Sequence, residues 1–197
     1  MRIGVVGGTF DPIHVAHIAM AEAARRCAEL DRVLIIPAGV PPHRARPEAG
    51  DEDRLAMCRL AVRGHPGLEV SDAELRRTGP SYTLLTLEDI HARHPEAELF
   101  LVLGWDAARA FRSWHEPDQV LRLATLLVVP RPGLGDPGPD DLRTAGIPES
   151  RVRLCRVRTP AIGATDLRRQ LRAGTVPDGA LDPAVASYID EHGLYRD

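Results

Sequence analysis

Along the chain, short runs of Val, Ile and Leu alternate with stretches in which apolar residues return at three- and four-residue steps, the sign of strands alternating with helices around a mostly parallel sheet. The first run, Ile3 to Val6, predicts a strand broken by Gly7-Gly8. Val15, Ile18, Ala19, Ala23, Cys27 and Leu30 then follow helical spacing, with Pro12 just ahead, where its fixed φ is tolerated. Val33 to Ile36 predicts a second strand ended by Pro37 and Gly39. Arg54 to Val62 reads as a helix, Leu68 to Val70 as a strand, Thr83 to Ala92 as a helix and Leu99 to Leu103 as a strand. Short helices are expected at Ala107–Phe111 and Asp118–Leu123, strands at Thr125–Val129 and Val152–Val157, and closing helices from Thr165 and from Pro183. The Pro-, Gly- and Asp-dense stretch from Pro132 to Ser150 reads as an exposed connection, and Gly39 to Gly50 as a loop beside a phosphate site. The expected fold is a Rossmann-like, doubly wound α/β sheet with helices on both faces.

Composition narrows this picture. A length of 197 residues fits one large α/β domain, so residues 1–197 are read as a single unit with a helical C-terminal part from about 165. The formal net charge of −3 gives no overall positive field for long nucleic acid or an anionic membrane. Neither a signal-peptide pattern at residues 1–7 nor an apolar run long enough to span a bilayer is found. Cys27, Cys58 and Cys155 stand far apart without C-x-x-C spacing, which suggests reduced thiols and a cytoplasmic protein.

The chemistry concentrates in Gly7-Gly8-Thr9-Phe10-Asp11-Pro12-Ile13-His14-Val15-Ala16-His17, between the first strand and the first helix. In a doubly wound sheet, ligands bind outside the carboxyl ends of strands, where a glycine turn lets phosphate approach backbone N–H groups and a helix N-terminus. His14 and His17 are three residues apart at the start of that helix, so both imidazoles share one side and can hold the oxygens of one polyphosphate. A dinucleotide fingerprint fits worse because G-x-G-x-x-G is absent, and a Walker A loop would need Gly-Lys-Ser/Thr. A tight turn with two surface histidines is the plain alternative for either feature alone, but not for both in this order.

These residues resemble a nucleotidyltransferase superfamily whose late I-S-x-T-x-x-R motif is matched by Ile162-Gly163-Ala164-Thr165-Asp166-Leu167-Arg168, with Gly163 in place of Ser. Within it, the chain resembles the bacterial nicotinate mononucleotide adenylyltransferases almost from end to end. Val40-Pro41-Pro42-His43-Arg44, Gly79-Pro80-Ser81-Tyr82-Thr83, Gly104-Trp105-Asp106, Trp114, Arg131-Pro132-Gly133 and the Tyr188-Ile189 and Gly193-Leu194-Tyr195 ending carry the resemblance. Leu85 departs from a position that is polar in many relatives.

The resemblance implies adenylyl transfer from ATP, taken with Mg²⁺, to a pyridine mononucleotide, with the cation held by phosphates and water and by no protein metal site. His14, His17 and Arg168 would stabilise charge, Thr165 capping the helix that carries Arg168. Gly7, Gly8, Thr9, Phe10, Gly104, Asp106, Ile162 and Thr165 would bind ATP, Asp106 at its ribose. His43, Arg44, Tyr82, Thr83 and Trp114 would bind the acceptor, Trp114 stacking on the pyridine ring and the backbone of Tyr82 and Thr83 receiving its carboxylate. Self-association into a homo-oligomer is left open. The alternatives are a phosphopantetheine adenylyltransferase-like enzyme and a nucleotide-binding module without catalysis.

Overall fold

The computed structural model describes residues 1–41, 46–130, 137–155, 157 and 159–196. Six strands, β1 (Arg2–Gly8), β2 (Arg32–Pro37), β3 (Leu68–Val70), β4 (Glu98–Gly104), β5 (Ala124–Val129) and β6 (Val152–Leu154), pair in parallel in the order β3-β2-β1-β4-β5-β6. The order reverses between β1 and β4, which leaves a crevice outside their carboxyl ends where a doubly wound sheet takes its ligand. Both faces of the sheet are covered, as parallel strands require.

Alternation along each strand sorts side chains between two cores. Val6, Val33, Ile35, Phe100, Val102, Leu127 and Val129 face α1 (Val15–Cys27), α2 (Asp51–Ala61), α7 (Ala164–Arg172) and α8 (Pro183–Glu191). Ile3, Val5, Ile36, Leu99, Leu101, Leu103, Leu126 and Val128 face α3 (Thr83–Arg93), α4 (Trp105–Ala108), α5 (Pro117–Leu123) and α6 (Pro139–Thr144). The doubly wound expectation holds.

Several local expectations are corrected. The stretch from Pro132 to Ser150 is not all exposed connection: α6 lies within it and buries Leu142, with Ala145 and Ile147 buried just beyond. The helix expected over Ala107–Phe111 is two pieces, α4 and a 3₁₀ turn at Phe111–Ser113. Strand β6 stops at Leu154, although the Cys155 N–H still donates to the Val128 carbonyl at 2.8 Å. Thr165 does not cap α7. Gly163 occupies the cap with extended backbone, and its carbonyl accepts from Leu167 at 3.0 Å, so the helix begins one residue before Thr165.

The cysteine reading is corrected as well. Cys27, at the end of α1, is disulfide-bonded to Cys155, just past β6, across 128 residues. Topology brings these ends together, and no spacing rule reads such a pair from sequence. Cys58 is free and buried, and burial pushes its thiol up to about 12, the Arg54 charge opposing only in part. Among the described residues no helix is long and apolar enough to cross a membrane.

Candidate active site

A cleft of about 320 Å³ opens outside the carboxyl ends of β1 and β4. One wall is the strand-to-helix loop, through Gly7, Gly8 and Thr9. The others come from Ser81, Tyr82 and Thr83 at the start of α3, from Asp106 and Ala107 on α4, and from Trp114 and His115 after the 3₁₀ turn. A Cβ at Gly7 would meet nothing within 4 Å, so glycine there leaves room for a ligand rather than relieving a clash. Gly39 has the opposite reason. A Cβ on it would come within 2.6 Å of the Glu74 carbonyl oxygen, and its N–H donates to Ser81 Oγ at 2.9 Å, fixing the wall that carries Tyr82.

Helix termini and side chains set the electrostatics. Thr83 opens α3, whose first N–H groups and dipole favour an anion, while the Tyr82 N–H is already given to the Pro80 carbonyl at 3.0 Å. The lining contributes two carboxylates. Asp106 stands on the first turn of α4, and Glu74, nearly buried, accepts from Thr86 Oγ1 at 2.7 Å. Arg77 in turn donates to Thr86 Oγ1 at 3.1 Å and to the Leu85 carbonyl at 3.3 Å, so position 85 serves here through its backbone. The Tyr82 and His115 rings stack at 4.1 Å, and Trp114 tilts against Phe111 at 5.5 Å.

The loop is held from beneath. Asp11 is buried, and its carboxylate accepts from Glu48 N at 2.9 Å, Ala49 N at 3.0 Å and Tyr195 Oη at 2.8 Å. Arg168 reaches the same place from α7, its Nη1 donating to the Asp11 carbonyl at 2.7 Å and its Nε to Glu48 at 2.8 Å. The His14 N–H donates to His17 Nδ1 at 3.3 Å, so a neutral His17 carries its proton on Nε2. The two imidazoles stack at 3.7 Å, with the Phe10 ring edge-on to His17 at 5.0 Å.

The cytidylyltransferase-like family profile matches residues 5–170. A Roseiflexus sp. protein named a probable nicotinate-nucleotide adenylyltransferase is 44% identical, covering 98% of each chain. A Thermomicrobium roseum protein of the same name is 40% identical over 99% of this chain and 92% of its own. This chain belongs to the nicotinate-nucleotide adenylyltransferase family. The Plasmodium falciparum nicotinic acid mononucleotide adenylyltransferase complexed with NaAD shares the fold, with a TM-score of 0.77 at 18% identity over 98% of this chain and 97% of its own.

In this adenylyltransferase, Gly7, Gly8, Thr9, Tyr82, Thr83, Asp106 and Trp114 meet around one cleft. Other predicted residues stand apart from its lining. Phe10 is buried with a positive φ of 47°, and His14, also buried, borders a separate hollow of about 230 Å³ beside Glu22 and His65. His17 and Arg168 gather at the base of the loop. Gly104 caps α4, Ile162 packs on the core beside α7, and Thr165 lies on its first turn. His43 and Arg44, with Arg131-Pro132-Gly133, lie outside the described residues. Sequence reasoning did not single out Glu74, Ser81 as a wall anchor, His115, or Arg54. Only Arg54 left a signal, an arginine one helical turn from Met57 and Cys58 and two from Ala61, on a face that is otherwise apolar.

Proposed function

We infer that the chain transfers the adenylyl group of ATP to nicotinate mononucleotide, giving the deamido dinucleotide and pyrophosphate for NAD biosynthesis. One observation carries the site-level reading: a single cleft has the glycine loop after β1 on one wall and the N-terminus of α3 and the partly buried Trp114 on others. The triphosphate lies along Gly7 to Thr9, with Asp106 at the ribose, and the acceptor sits between Trp114 and the start of α3. An acceptor phosphate oxygen attacks the α-phosphorus in line. The new O–P bond forms as the bond from the α-phosphorus to the bridging oxygen breaks, and pyrophosphate departs with that electron pair. The attacking phosphate is already anionic at neutral pH, so no general base is needed, and catalysis consists of positioning and charge stabilisation. His17 Nε2 is the donor read as supplying that stabilisation, while His14, buried, and Arg168, bound to the Asp11 carbonyl and Glu48, contribute from beneath the loop rather than from the cleft lining.

Nucleotidyltransferases take a divalent metal with ATP, and here it is read as Mg²⁺ arriving as part of the nucleotide, where it neutralises phosphate charge. A cytoplasmic location belongs to the same proposal and rests on the biosynthetic role alone, since the Cys27–Cys155 disulfide removes the reduced-thiol argument for it.

The test is pyrophosphate release from Mg·ATP with nicotinate mononucleotide, nicotinamide mononucleotide and 4′-phosphopantetheine. The N-terminus of α3 favours a carboxylate over an amide, whose NH₂ faces the same donors. An unmatched polar group in a closed site costs roughly 1–3 kcal/mol, or about fivefold to a hundredfold in kcat/KM for the acid over the amide at ~1.4 kcal/mol per decade. Release with phosphopantetheine alone, or no release with the acid, overturns the assignment, and equal efficiencies for acid and amide remove α3 from acceptor reading.

A further inference from the structure

Arg54 is fully buried and heads the largest side chains that are. It lies on the core face of α2 with Met57, Cys58 and Ala61, where an apolar residue of similar volume would satisfy the packing. Burying a guanidinium is costly unless its donors are used, and two of them are. Nη1 donates to the Thr9 carbonyl at 2.8 Å and Nη2 to Asp51 Oδ1 at 2.5 Å, while Nε has no partner. The Asp51 side chain is 59% exposed while Arg54 is fully buried, so the arginine's partner is solvated at the surface and the guanidinium itself stays beneath the loop.

We propose that Arg54 is a positioning residue for the ATP triphosphate, acting through the Thr9 peptide. A trans peptide is planar, with its carbonyl and the following N–H pointing in opposite directions. Drawing the Thr9 carbonyl inward therefore turns the Phe10 N–H outward. The loop then presents donors to phosphate and hides an oxygen that would repel it, with a fixed positive charge below. Asp11 holds the loop to Glu48 and Ala49 from its other end, so the turn is clamped on both sides of Phe10.

The inference rests on Gly7 to Thr9 being the triphosphate site, and the experiment separates the two. Arg54→Met keeps the volume and removes the fork and the charge. It is expected to lower kcat/KM for ATP roughly tenfold or more, less than the loss of a donor on the reacting atoms, with the acceptor KM within about twofold and the circular dichroism unchanged. Arg54→Lys restores charge without the planar fork and should recover part of the loss. A folded Arg54→Met enzyme with ATP kinetics within about twofold of wild type overturns the inference. So does a loss shared equally by both substrates and by thermal stability. Should Met at 54 prevent folding, Arg54→Lys carries the test alone: a severalfold rise in ATP KM with the acceptor KM unchanged supports positioning, and an unchanged ATP KM overturns it. His17→Ala is measured alongside. If it and Arg54→Met are both fully active, the reading of the loop has failed; if only His17→Ala collapses, the inference alone has.

Discussion

His17 is prepared before any ligand arrives. Its Nδ1 accepts the His14 N–H at 3.3 Å, which places the proton of a neutral ring on Nε2. Stacking on His14 and the edge of Phe10 fix the ring plane. In the proposed reaction, a donor held this way needs no reorganisation as charge develops at the α-phosphorus of the adenylyl group. We expect His17→Ala to lose roughly 10²–10³ in kcat while remaining folded, its urea midpoint lowered modestly because the His14 N–H loses its acceptor, at a cost of about 1 kcal/mol. Near-wild-type turnover in the folded variant would remove His17 from the chemistry. The pair was legible in the sequence because three-residue spacing at a helix start puts two side chains on one side. The burial of His14 was not, since it depends on residues distant in sequence, Ala61, His65 and Asp182 among them, that stand beside it.

At the scale of elements, the C-terminal segment is a clamp on the loop after β1. Tyr195 gives its hydroxyl to Asp11 at 2.8 Å, and Asp11 holds Glu48 and Ala49, so the last residues of the chain reach the first functional turn. Burial, and then the Asp11 charge, push the Tyr195 hydroxyl well above its ordinary value of 10.0. The folded state thus keeps a proton that the unfolded chain releases, and the stability this gives is full below about pH 10 and falls as pH rises further. Tyr195→Phe should cost about 1 kcal/mol at neutral pH for the lost hydrogen bond and should flatten the decline of the urea midpoint above about pH 10. An identical alkaline slope in both proteins would assign the decline elsewhere, Tyr188 being another tyrosine raised by burial and by Asp53. Elements with strong apolar periodicity, such as β4 and α3, fell within two residues of expectation. The six-residue α6 did not show, because Leu142 alone is buried within it and one apolar position sets no period.

Across the whole molecule, the Cys27–Cys155 bond ties α1 to the far edge of the sheet, bypassing the intervening strands. The parallel, doubly wound sheet was implied by alternating strands and helices, whereas this contact depends on where two distant element ends stop. Closing 128 residues removes unfolded-chain entropy worth up to about 5 kcal/mol. Neither cysteine lines the cleft, so stability and turnover should separate when the bond is opened. Thiol titration checks the premise. The native protein should react slowly because Cys58 is buried and its thiol lies near 12. Denatured without reductant, it should show one thiol per chain, and after reduction all three. Reduced protein should then unfold at lower urea, while its adenylyl transfer at low temperature stays within about twofold of the oxidised form, as expected of a cross-link that acts on the unfolded chain. Three thiols in the unreduced, denatured protein would show that the chain works without the bond. An activity that vanishes on reduction, with the fold retained, would mean that the link between α1 and β6 holds the loop as well as the sheet.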